Sequence, residues 1–212
     1  MILFFRIAVI YFGLATAWNF YLRDDLFFVG AQIASYGTRF IGLMTYFGIG
    51  IAFFAVWSWL KSDTNAEFAK RVGRTLVMVG LCCFFLAAFT SVKSSLPYAA
   101  EHLGLTAFFA DPFFAEFDRT LHFGVDPWVL THQFTEWINW GNFTVHASLL
   151  YGPLWVVLAF YLPAIMTFAG EDARTLRHYT ILYVFSWIVL GNVLALVGLS
   201  GGPIFYLSLI HI

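Results

Sequence analysis

The residues best suited to chemistry crowd into one stretch of this sequence. From residue 93 to residue 142 stand Lys93, Glu101, Asp111, Glu116, Asp118, Arg119, Asp126 and Glu136, in a chain where charged residues make up only 11%. Lys93, in FTSVKSSLPY, has two readings. Its stem can lie along apolar surface while the ammonium snorkels to polar head groups, or the ammonium can bind a phosphate as a point charge. Asp111 and Asp126 each precede a proline. Aspartate there is expected to cap the free N–H groups of a helix start, with proline in the first turn. Asp118 and Arg119 have no capping duty and stand as candidates for binding a ligand.

Composition says what must surround these groups. The chain has 212 residues, 61% of them hydrophobic, with a mean hydropathy of +0.80, 26 Phe and 8 Trp. A soluble fold of this length cannot hide that much apolar surface, so lipid is the expected solvent. A net charge of −1 excludes nucleic acid as a partner, because that partner needs a basic face. Cys82 and Cys83 are adjacent within an apolar run and read as small packing residues. Adjacent cysteines rarely bridge each other, and two do not make a four-ligand metal site. The opening MILFFRIAVIYFGLATAWNFYL has a poor cleavage pattern for a signal peptide and is read as a retained span.

Five stretches reach the roughly 20 apolar residues that a spanning helix needs. They run from about Ile2 to Leu22, Phe40 to Leu60, Thr75 to Lys93, Phe143 to Phe168 and Ile181 to Leu199. The expected fold is therefore all-α: a polytopic membrane helix bundle of about five transmembrane helices, with short interfacial helices on its outer side. The runs lack the alternation of a membrane barrel. Lys61, Lys70, Arg71 and Arg74 follow the second run, and Arg174 and Arg177 follow the fourth, whereas the segment after the third is acidic. The positive-inside bias then puts the N-terminus in the cytoplasm and residues 94–142 and 200–206 outside, in a bacterial inner membrane. Two polar residues at span depth, His146 and Asn192, are expected to face other helices.

Within the outer segment, Phe113, Phe114, Phe117 and Leu121 fall on one helical face, the pattern of a short helix lying on the membrane surface. Gly124 ends it, Asp126-Pro127 starts another, and Trp128, Trp137 and Trp140 suit interfacial depth.

The stretch VKSSLPY followed by ADPFFAEFDRTLHFGVDPW, together with SGGPIFY from Ser200 to Tyr206, resembles the type 2 phosphatidic acid phosphatase superfamily. Within it, the similarity is to bacterial relatives of the aureobasidin-resistance, or inositolphosphorylceramide synthase, branch. The resemblance implies phosphoryl or phospho-head-group transfer on a lipid, with no cofactor and no metal. The substrate would be a phospholipid or a polyprenyl or sphingolipid phosphate. A histidine would attack phosphorus, cations would neutralise the phosphate oxygens, and a second histidine would serve as acid and base. It also implies that Lys93, Asp118 and Arg119 line the head-group side and that Gly202 and Pro203 shape the site.

The chain departs from the family where the nucleophile should be. The Ser-Gly-His-like or Ser-Leu-His-like motif and the later His-Asp pair follow the Gly-Pro element in the family, and no residue here matches them, His211 included. No catalytic residue is assigned within this chain, and the nucleophilic histidine is expected beyond residue 206. The last six residues, LSLIHI, are what a common transposon-end sequencing adapter encodes. The expectation is one transmembrane domain over residues 1–206, truncated at its C-terminal end, with 207–212 an adapter-derived tail and the fragment inactive. Two other readings compete. Gly198-Leu199-Ser200-Gly201 matches the Gly-x-Ser-Gly of rhomboid-type intramembrane serine proteases, although the serine ends a span instead of starting one. A non-enzymatic scaffold or transporter subunit needs only apolar spans and interfacial aromatics; Gly152-Pro153 would be a midplane break for a transporter.

Overall fold

The structure, a computed structural model, describes residues 1–24, 28–60, 64–138, 145–147, 151, 154, 157–170 and 172–201. Among these residues the chain is helical and no strand occurs. The helices are α1 (Ile2–Arg23), α2 (Phe28–Leu60), α3 (Asn65–His102), α4 (Asp111–Leu121), α5 (Pro127–Trp137), α6 (Leu162–Ala169) and α7 (Ala173–Val197). Three of them, α1, α3 and α7, are long and apolar enough to cross a membrane. The second expected span lies inside the longer α2; the last part of the fourth is helical over Val157–Tyr161 and into α6, and nine of its 26 residues lie outside the described residues. Gly152, Pro153, Trp140, Gly202, Pro203 and the 207–212 tail also lie outside them.

Three of the long helices start or stop on visible local chemistry. At the head of α3, Thr64 Oγ1 accepts from the Glu67 N–H at 3.3 Å while the Thr64 N–H donates to Glu67 Oε2 at 3.2 Å, a reciprocal capping box. At the end of α1, Asp24 turns left-handed with φ 54° and donates its N–H back to Phe20. At the head of α7, the Asp172 side chain accepts from the Thr175 N–H at 2.7 Å.

The side-chain contacts fix how these helices run. From one end of the bundle to the other, Phe4 meets Phe85, Phe12 stacks on Phe84, Trp18 donates to Ser95 at 2.9 Å, and Tyr21 stacks on His102. From Phe4–Phe85 through Trp18–Ser95 to Tyr21–His102 the numbers rise together, so α1 and α3 are parallel. Phe4 with Tyr183 and Tyr11 with Asn192 make α7 parallel to α1 as well. Phe28, which takes Arg23 over its ring at 3.9 Å, and Tyr36, bonded to Thr90 at 2.6 Å, show α2 running the other way. The C-terminal ends of α1, α3 and α7 therefore emerge on one side.

α3 is the hub, with 56% of its most apolar window buried, against 28% for α1 and 17% for α7. Its Phe85 and Leu86 are fully buried, and Phe85 meets Phe4, Tyr11 and Tyr183. In lipid, helices gain little from hydrophobic transfer on meeting each other; close packing and hydrogen bonds hold them. Ala8, Ala15, Ala87 and Ala88, all at 0% exposure, provide that close approach. Cys82 is buried and Cys83 partly so, both as free thiols within this packing.

Two sequence expectations change. Lys93 does not end the third helix: α3 continues nine residues to His102, through Pro97. Pro97 has no N–H to give the Lys93 carbonyl. Nearby Ser91 and Ser95 turn their hydroxyls back onto the helix backbone at 2.8 Å to 3.1 Å, and Leu96, Ala99 and Ala100 are buried, so tertiary packing carries the helix past the proline. The last span is also not uniformly α-helical. Ser186–Leu194 forms a wider π-helical turn, a feature that often marks functional positions. A Cβ on Gly191 within it would lie 2.6 Å from the Phe89 ring, which packs edge-on to Trp187.

Gly191→Ala is therefore expected to overpack the α3–α7 contact and cost about 1–3 kcal/mol. Thermal unfolding of the detergent-solubilised protein reads this, and an unchanged midpoint would deny the close approach. The Asp172 carboxyl is held below its ordinary value of 3.8, chiefly by the Thr175 N–H. Its folded value lies below its unfolded one, so its contribution to stability is fully present above 3.8 and fades as pH falls through the depressed value. Helicity measured along an acid titration should lose this limb in Asp172→Asn.

Candidate functional site at the emergence face

A cluster of polar contacts between separate elements lies where α7 ends. Asp111, only 7% exposed, accepts through Oδ1 from the Ser200 hydroxyl and from the Gly201 N–H, the latter at 2.9 Å. Beside it the Ala110 N–H donates to the Leu199 carbonyl at 3.1 Å. Leu199 packs on Leu96 and Ala100 of α3. Residues 110–111 and 199–201 thus form one junction, seated on the hub helix.

This changes the reading of both Asp-Pro pairs. Proline does occupy the first turn of α4 and of α5. The cap residue of α4, however, is Ala110, and Asp111 is already inside the helix with its carboxylate turned to α7. Asp126 is the cap residue of α5, yet its carboxylate makes no capping bond and instead accepts from Arg119 Nε at 3.4 Å. The serine of the Gly-x-Ser-Gly match is engaged in holding two helices together.

Helical geometry sorts the other candidates. Asp111, Phe114 and Asp118, at i, i+3 and i+7, share one face of α4. Phe114 packs against Gly198, where an added Cβ would lie 3.3 Å from the ring, so this face looks onto the bundle. Asp118 is half-buried there; its carbonyl accepts from His122 Nδ1 at 2.7 Å, and among the described residues no cation pairs with its carboxylate. Arg119 points away, 48% exposed, toward Asp126 at 3.4 Å and Glu116 at 3.8 Å. Pairs this exposed contribute at most about 1 kcal/mol, so the guanidinium is weakly held. Asp118 and Arg119 are neighbours in sequence but do not act on one point in space. Phe113 and Phe117 stack on each other and are 66% and 49% exposed, as an interfacial helix presents its apolar side.

Lys93 is exposed, and among the described residues no carboxylate pairs with it. Phe89, Lys93, Leu96 and Ala100 fall on one stripe of α3 at i, i+4, i+7 and i+11. Phe89 meets Trp187, and Leu96 and Ala100 meet Leu199. Lys93 is therefore on the α7 side of α3, about one turn below the Asp111–Ser200 junction. Arg23, over the Phe28 and Tyr98 rings at 3.9 Å and 5.0 Å, is a second cation at this end. The sequence reading gave Arg23 no site role, and although it singled out both the Asp111 stretch and Ser200-Gly201 it did not pair them; an Asp-Pro and a Ser-Gly at two helix ends were the available signal.

No group of three or more His, Cys, Asp or Glu side chains able to hold a metal occurs among the described residues. Comparison with protein-family models, with curated proteins and with solved structures gives no match.

Asp111→Ala would leave the Ser200 hydroxyl and Gly201 amide without their acceptor, at an expected cost of about 1–3 kcal/mol. Limited proteolysis across residues 103–110 should accelerate in this variant, while Glu116→Ala, at the exposed side of α4, should cut at the native rate.

Proposed function

We propose that this protein is a membrane-embedded lipid phosphatase or phospho-head-group transferase of the inositol-phosphate type. In this reading it has five spans, with a cytoplasmic N-terminus, and receives its substrate at the extracytoplasmic face. The single observation that supports the reading most is the 110–111 to 199–201 junction. The ADPFF segment and the start of SGGPIFY, the two stretches that carry the superfamily resemblance, meet there through Asp111, Ser200 and Gly201. Lys93 stands beside this junction on a stripe that faces α7, and among the described residues no carboxylate pairs with it. A lone ammonium at the polar edge of a bilayer suits a phosphate. Asp118 faces the same bundle surface and suits a hydroxyl of a head group; Arg119 can exchange its weak surface pairs for a phosphate oxygen.

In this reading the chain's own groups bind and orient the head group, and attack on phosphorus falls to a histidine encoded after residue 206. The parent coding sequence tests that half: a Ser-Gly-His or Ser-Leu-His followed by a His and an Asp on the outer side is required. The protein with that continuation should release phosphate, or transfer a phospho-head-group, from at least one of phosphatidic acid, polyprenyl phosphate and phosphatidylinositol. No turnover on any of them refutes the proposal. In nanodiscs of neutral lipid, Lys93→Ala should weaken retention of phosphatidic acid by roughly tenfold or more, the loss of one charge-assisted bond.

A further inference from the structure

An apolar groove of about 430 Å³ runs between α1, α3 and α7. Its walls include Ile7, Tyr11, Trp18, Val92, Asn192 and Leu196. These walls belong to the three helices able to cross a membrane, so the groove lies at hydrocarbon depth. Ile7 and Trp18 are eleven residues apart, roughly 16 Å along α1. That is close to half of the ~30 Å hydrocarbon core, the depth of one leaflet. Its upper end is at Trp18 and Leu196, beside the Leu199 contact that carries the Asp111–Ser200 junction. The volume falls within the range of single-ligand sites.

One group in the groove is out of keeping with hydrocarbon. Asn192, 5% exposed and placed by the π-helical turn, donates through Nδ2 to the Tyr11 hydroxyl, and its Oδ1 has no partner among the described residues. An unsatisfied amide end at this depth is costly because no bulk water reaches it. A hydroxyl both donates and accepts, so it satisfies this amide whichever way the side chain is turned.

We propose that the groove holds one chain of a lipid from the leaflet on the Ser200 side, and that this chain carries a hydroxyl part-way along, at the depth of Asn192. The hydroxyl would lie seven residues of α1 below Trp18, roughly 10 Å, and so at mid-chain. The proposal rests on the lipid-phosphate reading only for the head group above the groove.

The test uses the full chain in phosphatidylcholine nanodiscs and phosphatidic acid probes carrying a photoreactive diazirine on one stearoyl chain, with or without a hydroxyl at successive mid-chain carbons. Label is expected on the groove walls of α1 and α7, with one hydroxyl position favoured roughly threefold to tenfold over the plain chain. Asn192→Leu should erase that preference, and Val193→Trp, on the groove wall, should remove the label. Leu182→Trp, on the same helix outside the groove, should change neither. Equal capture of hydroxylated and plain chains, label spread over all outward faces, or cross-links between two copies across the groove would each overturn the proposal. A neutral diacylglycerol probe separates it from the head-group reading. Equal capture of that probe keeps the groove and counts against phosphate recognition, whereas Lys93-dependent retention without groove label keeps phosphate recognition and overturns the groove.

Discussion

One carboxylate ties the surface of this protein to its membrane interior. Asp111 accepts a hydroxyl and an amide from the residues that leave α7, and through them a short amphipathic helix is fixed against the spans. The bond has little competition from water because Asp111 is almost fully buried. Phe114 on Gly198 and the Ala110–Leu199 backbone bond hold α4 at the same place. Where Asp118 points, and that Arg119 is turned outward, both follow from the rotation at which Asp111 locks α4.

The same scarcity of water governs the interior. Side chains that would be solvated in a soluble core are paired here or turned onto their own backbone. Thr16, Thr167 and Thr180 each donate to the carbonyl four residues earlier, and the buried Tyr183 hydroxyl donates to Ala159 at 2.9 Å. Against this background, among the described residues, the unpaired ends of the Asn19 and Asn192 amides stand out as exceptions.

Much of the helical layout was legible because its causes are local. The apolar run from Ile2 to Leu22 became α1 almost residue for residue, and the amphipathic pattern behind Asp111 became α4. What escaped were outcomes decided by partners distant in sequence. The third apolar run was read as reaching only to about Lys93, but burial of Leu96, Ala99 and Ala100 carried the helix on through Pro97 to His102. Aspartate before proline looked like a cap because local propensity says so. Ser200 and Gly201, some ninety residues away, offered Asp111 better donors, and Arg119 drew Asp126 aside. The π-helical turn around Gly191 has no sequence signature beyond a glycine, whose lack of a side chain admits Phe89.

The parallel course of α1, α3 and α7 has an electrical consequence. Each helix ends with carbonyls that no further turn satisfies, equivalent to roughly half a negative charge apiece. Three such ends, set against the single positive N-terminus of the antiparallel α2, leave a net negative field at the emergence face. An anion at that surface is opposed by this field except where cations such as Arg23 and Lys93 offset it. The opposite surface, where these helices begin, carries the complementary positive sign, so the bundle is polarised across its thickness before a single side chain ionises.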